Sequence, residues 1–147
     1  LIIKPISLAT TRKGFFQMKL FTQAQYDKMI ENGRPENRDT DHYPVVKLFM
    51  LNMLSMQAQC VWLLTELDPD YPDHAFGLCD LGFGTPELGL ISIQEILDAQ
   101  GPIHVIGRDD TFKGNFPISF YAAAARHYGF IVDDDVDVVR FVPKPRP

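Results

Sequence analysis

Seven side chains in one short stretch carry the chemistry this sequence offers: Glu66, Asp68, Asp70, Asp73, His74, Asp80 and Glu87. Carboxylates at a strand end and in the loop after it supply the clustered oxygen ligands that Mg²⁺ or Ca²⁺ require. His74 adds a nitrogen ligand suited to Mn²⁺ or Zn²⁺, or a base. Glu66, Asp68, Asp80 and His74 are therefore the metal-ligand candidates, with Glu87 as a further carboxylate, and the chemistry they imply is divalent-metal-dependent hydrolysis, including nuclease activity. Against it, no DxDxDG calcium loop is present. Asp68-Pro69-Asp70 followed by Pro72 is also a good turn former, in which aspartates bond their own backbone, and the balance favours a structural acidic turn. No cofactor is expected beyond this divalent-metal alternative.

Other chemistry has weaker support. Cys60 and Cys79 lie in apolar runs with no base adjacent in sequence and are expected to be reduced core thiols. His42, His74, His104 and His127 follow no HExxH or other metal spacing. Asp80 to Gly89 (DLGFGTPELG) lacks the Gly-Lys-Ser/Thr of a phosphate loop and the third glycine of a dinucleotide fingerprint, so Gly82 and Gly84 are expected to serve a tight connection at positive φ.

Charge narrows the partners. The 147 residues carry a net −5, but residues 18–147 carry −8, because Lys4, Arg12 and Lys13 stand in an acid-free start. Between Lys47 and Arg108, 60 residues contain no Lys or Arg, while Glu66, Asp68, Asp70, Asp73, Asp80, Glu87, Glu95 and Asp98 lie there. Such a surface repels phosphate backbones, which disfavours nucleic-acid binding through the central domain. It favours a cation, a basic protein partner, or simple solubility. With 46% hydrophobic and 22% charged residues the composition is that of a globular domain, and no apolar run reaches the length of a membrane span. Two cysteines without a signal-peptide pattern point to the cytoplasm.

The elements that must position these residues read as α+β. Phe21 to Gly33 predicts a helix, with Thr22 and Gln25 as a capping box and Gly33 as its stop. Residues 34–44, bracketed by Pro35 and Pro44, predict a loop. Val45–Phe49, Cys60–Leu67, Ala75–Leu81 and Leu88–Ser92 predict strands of a mostly antiparallel sheet, with Ile103–Ile106 as a fifth. Strict alternation along the second strand places Trp62, Leu64, Glu66 and Asp68 on one face. Ser92 to Glu95 reads as a capping box opening a helix over 93–100, and the alanine-rich Pro117–Tyr128 segment as the last helix, stopped by Gly129. The expected architecture is a small antiparallel sheet of four to five strands flanked by two or three helices. Residues 1–17 are set apart as an extension, by non-native read-through or as part of something longer. Residues 18–130 form the domain, and 131–147 (from Ile131, through DDDVDVV, to PKPRP) an extended or disordered tail.

Four stretches carry a family resemblance: MKLFTQAQYDKMIENGR (Met18–Arg34), PVVKLF (Pro44–Phe49), WLLTELDPDYPDHAFGLCDLGFGTPELG (Trp62–Gly89) and ISIQEI (Ile91–Ile96). In order and content they resemble the uncharacterised bacterial "domain of unknown function 2958" family over residues 18–130. The resemblance implies a small protein of a plasmid or other mobile element, and implies no catalytic residues. Met50 to Gln59 reads as an insertion, with methionines at 50, 53 and 56 expected to pack as a short helix, or else to form an adaptable contact surface. Together these observations lead to an accessory or binding protein that acts through its acidic face on a protein partner. The alternative is the metal-dependent hydrolase or nuclease.

Overall fold

The computed structural model describes residues 20–142. Five strands, β1 (Val46–Asn52), β2 (Gln57–Leu67), β3 (His74–Asp80), β4 (Glu87–Ser92) and β5 (His104–Arg108), form one antiparallel sheet in the order β4-β3-β2-β1-β5. The helices are α1 (Gln23–Asn32), α2 (Ile93–Asp98), α3 (Ile118–Tyr128) and α4 (Asp135–Val138), the last running into a 3₁₀ turn at Val139–Phe141. The α+β expectation holds, with all five strands present. Among the described residues no helix is long and apolar enough to cross a membrane.

Each face of the sheet buries its own core. On one side Leu48, Trp62, Leu64, Leu67 and Ala75 pack with Phe21 and Met29 of the α1 region and with Ile93 and Ile96 of α2. On the other, Leu63 and Leu78 pack with Ile118, Tyr121, Ala122 and Ala125 of α3 and Val138 of α4. At about 1.5–3 kcal/mol per fully buried aliphatic or aromatic side chain, these two cores dominate the fold's stability.

Local signals set the helix ends. Thr22 Oγ1 accepts from the Gln25 N–H at 3.1 Å and Gln25 Oε1 from the Thr22 N–H at 2.9 Å, which is the capping box anticipated from sequence. Gly129 takes the left-handed conformation (φ 82°) that stops α3. The other end of α3 begins at Pro117, whose side chain offers no acceptor. Asp41, from the loop before β1, caps it instead: its carboxylate accepts from the Ser119 N–H at 3.1 Å and hydroxyl at 2.5 Å. At α2, Ser92 caps the Glu95 N–H at 3.2 Å, while Asp73 accepts from the Ser92 hydroxyl (2.9 Å) and the Gln94 N–H (2.7 Å).

Two expectations are corrected. The Met-rich segment 50–59 is not a helix; it is the end of β1, a turn, and the start of β2. Asn52 Oδ1 accepts from the Leu54 N–H at 2.9 Å, and the turn closes through Met56 at φ 57°. Met50 consequently enters the core, while Met53, Leu54 and Met56 stand exposed at the hairpin tip. Nor is the tail extended throughout: residues 135–141 are helical, and Val138 is fully buried against Leu63, Leu78 and Tyr121. Asp134 caps that short helix through the Val136 N–H (2.8 Å), and Asp133 binds Lys47 Nζ at 2.7 Å, so the acidic block anchors this segment. Residues 1–17 and 143–147 lie outside the described residues.

Candidate functional site

A β-bulge decides where the acids go. Between Leu64 and Glu66 the β2–β3 register shifts, so Glu66 pairs with Phe76 and Leu67 with Ala75. Thr65, at the bulge, donates its hydroxyl to the Phe76 carbonyl (3.2 Å), and its own carbonyl accepts from Asn32 Nδ2 (2.9 Å). Strict alternation would have left Glu66 beside Leu64. The extra residue instead sends Leu67 into the core with Leu64 and turns Glu66 to the opposite face.

There Glu66 lines a pocket of about 270 Å³ with Asp68, His74, Phe76 and Leu90, closed on its far side by Arg38 and Asp39 of the loop after α1. Burial pushes the Glu66 carboxyl above the ordinary carboxylate range, against the opposing pull of His42 and Arg38. A carboxyl whose folded pKa exceeds its unfolded one binds more protons when folded, so its contribution to stability falls as pH rises through the interval between the two. Glu66→Gln is therefore expected to raise Tm at pH 7 relative to wild type. The gain should vanish below about pH 4, where both states of the wild type are protonated; thermal unfolding across pH 3–8 checks this.

The remaining sequence candidates have different duties. Asp68 Oδ1 accepts from the Asp70 N–H at 2.9 Å, the turn role that Asp-Pro-Asp suggests, and Asp70 is exposed. Asp73 holds the start of α2. Asp80 is only 5% exposed, and its two oxygens accept from the Gly82 N–H (2.9 Å) and the Ile131 N–H (3.0 Å). Asp80 lies six positions beyond His74 along β3, about 20 Å at strand rise. Asp80 thus cannot share an ion with Glu66, Asp68 and His74, and Glu87 lies on the α2 side of the sheet, in a different pocket. The proposed ligand set Glu66, Asp68, Asp80 and His74 does not come together. Among the described residues no three or more His, Cys, Asp or Glu side chains are arranged to hold a metal.

The second pocket, about 520 Å³, lies between the sheet and α2. Met50, Trp62, Ile91 and Ile96 form its apolar floor, Glu87 and Glu95 line it, and no Lys or Arg does. Cys60 and Cys79 also face it as free thiols, which burial, foremost, and nearby acids push above the usual thiol range. The Gly-rich connection after β3 places Gly82 and Gly84 at φ 84°, in keeping with a tight turn.

Sequence reasoning passed over Arg38 and Asp39, because it treated residues 34–44 as a plain loop; it weighed His42 only for metal spacing and counted Glu95 only as a cap and one of eight acids. The available signal was the crowding of Arg38, Asp39, Asp41 and His42 into five positions of a connection, the kind of segment that disproportionately carries binding residues.

Fold and site together define a layered α+β protein whose edge strand β4 runs between two pockets, one lined by Glu66, Asp68, Asp39 and Arg38 and the other by Glu87 and Glu95 alone among charged residues. A family model described as "Protein of unknown function (DUF2958)" matches residues 20–132, and the chain belongs to that family. No curated protein and no solved structure matches it.

Proposed function

We propose that this protein is a non-enzymatic binding protein, an accessory of a plasmid or other mobile element in the bacterial cytoplasm, that engages a basic protein partner through the β2–β4 half of its sheet. One observation carries the reading: the apolar groove between β4 and α2 is lined by Glu87 and Glu95 with no basic side chain. The wider field supports it. The chain carries a net −5, and its 60 residues between Lys47 and Arg108 hold eight acids and no Lys or Arg. A field of that sign steers cationic surfaces in and repels nucleic-acid backbones. The resemblance to a family common on mobile elements supports the accessory role, and two unpaired thiols suit a reducing compartment.

The test is a titration with a lysine-rich decapeptide, read by calorimetry at 50 and 500 mM NaCl. Affinity is expected to fall at least tenfold at high salt, as screening of exposed charges requires. The double variant Glu87→Lys/Glu95→Lys should lose at least tenfold in affinity. Glu31→Lys/Glu36→Lys, the same charge change at exposed positions away from the groove, should retain most of it. Salt-insensitive binding, or equal losses from both double variants, overturns the reading.

A further inference from the structure

The two edges of the sheet are finished differently. On β5, Gln100 Oε1 accepts from the Ile106 N–H (3.2 Å) and the Gly101 N–H donates to the His104 carbonyl (3.0 Å), so the chain plugs this edge with its own α2–β5 connection. β4 pairs with β3 over six unbroken register positions, from Cys79↔Glu87 to His74↔Ser92. Among the described residues no other segment hydrogen-bonds its outer side. Natural sheets blunt such an edge with lysine, proline, a bulge or a covering segment. Pro86 and Glu87 mark only its first end; within Leu88-Gly89-Leu90-Ile91 none of these is present, and Leu88 (39% exposed) and Leu90 (81%) face solvent.

The surroundings of β4 have the alternation that a bound strand would need. Leu90 borders both pockets: the Glu66 and Asp68 pocket on one face, and the Trp62 and Glu95 groove on the other. Successive side chains of an extended peptide point to opposite faces, so a strand laid along β4 sends them alternately toward one pocket and the other. A second copy of this chain is a poor occupant, because each copy carries a net −5 with no Lys or Arg between Lys47 and Arg108, so pairing β4 with β4 would bring like charges together.

We propose that β4 accepts an extended basic segment of the partner protein as a sixth strand, with its lysine or arginine side chains directed to Glu87 and Glu95 on the α2 face and its alternate, apolar side chains laid against Phe76 and Leu90 on the other, where Arg38 shares the pocket. The proposal rests on the acidic-face reading above and adds the backbone to it: main-chain hydrogen bonds give affinity, and charge gives direction.

The experiment compares three peptides of nine residues, capped at both ends. One alternates Lys and Val; the other two have the same sequence, N-methylated at every second amide in one phase or the other. Binding is followed by fluorescence of Trp62, the single tryptophan, and by hydrogen exchange of the β4 amides. At least one methylated peptide should bind ten times more weakly than the parent, and the parent should protect amides in 87–91. Leu90→Lys, at an exposed position, should weaken the parent at least fivefold with Tm unchanged. If all three peptides bind alike and salt still releases them, strand addition is overturned while the acidic-face reading stands. If none binds, both fall. If the protein alone sediments as a dimer with β4 already protected, the occupant is a second copy and the proposal is overturned.

Discussion

Asp80→Ala should destabilise the protein by about 3 kcal/mol, and Asp80→Asn by roughly half as much. Asp80 is 5% exposed at the end of β3, where its two carboxylate oxygens serve two separate backbone donors, Gly82 N–H at 2.9 Å and Ile131 N–H at 3.0 Å. Alanine leaves both donors without acceptors, and each partly buried orphan costs about 1–3 kcal/mol. Asparagine restores one acceptor but turns an amide NH₂ toward the second N–H, where donor faces donor. The effect extends beyond β3, because the Ile131 contact fixes the start of the segment that buries Val138 against Leu63 and Leu78. Urea unfolding gives the free energies, and hydrogen exchange should show protection lost at both Ile131 and Gly82 in Asp80→Ala and at one of the two in Asp80→Asn. If Asp80 were instead a metal ligand, the wild type would be stabilised by added Mg²⁺ or Mn²⁺ and both variants would lose that response.

That reassignment shows which parts of the structure sequence could reveal. Much of what depends on neighbours within four residues was legible: the Thr22–Gln25 box, the Ser92 cap, the Gly129 stop and the turn made by Asp68. The five apolar runs were legible for the same reason, since strand patterning is local. Most of what escaped depends on contacts made across the chain. The bulge at Thr65 is held by Asn32, 33 residues away, and by Phe76 on the next strand, and nothing within TELDPD announces it. It nevertheless decides on which face Glu66 stands. The cap on α3 comes from Asp41, 78 positions earlier, so Pro117 looked like a bare helix start. The segment from 131 misled because its composition is that of a solvated tail, while its packing depends on one valine, Val138, and on Asp133 meeting Lys47 across 86 residues. The Met-rich stretch misled by period: a spacing of three suggests a helix, but Asn52 closes a turn between Met50 and Met53 and interrupts it. Carboxylates adjacent in sequence were read as one cluster, although antiparallel pairing sends the two ends of β3 to opposite ends of the sheet.

The same cross-strand logic gives the second large effect, at a pair of glycines that look equivalent in sequence. Gly77 on β3 and Gly89 on β4 are register partners, yet a Cβ on Gly77 would sit 2.0 Å from the Leu63 carbonyl oxygen, while one on Gly89 meets nothing within 4 Å. The clash at Gly77 is with the backbone of β2, which is held by β1 on its other side and cannot retreat. Gly77→Ala must therefore distort the central ladder beside the Thr65 bulge, at a cost of about 3 kcal/mol or more, the upper end for overpacking. Gly89→Ala should stay within about 0.5 kcal/mol of wild type, since alanine there replaces a flexible residue at an open position. Because Gly89 also lines the groove below α2, its added methyl narrows that groove without unfolding the sheet. Thermal unfolding should place Gly77→Ala many degrees below wild type and Gly89→Ala beside it, while the alternating Lys–Val peptide binds Gly89→Ala more weakly than wild type. Equal stability losses at the two glycines would mean that β3 and β4 do not pair in this register, and the edge assigned to β4 would be lost with them.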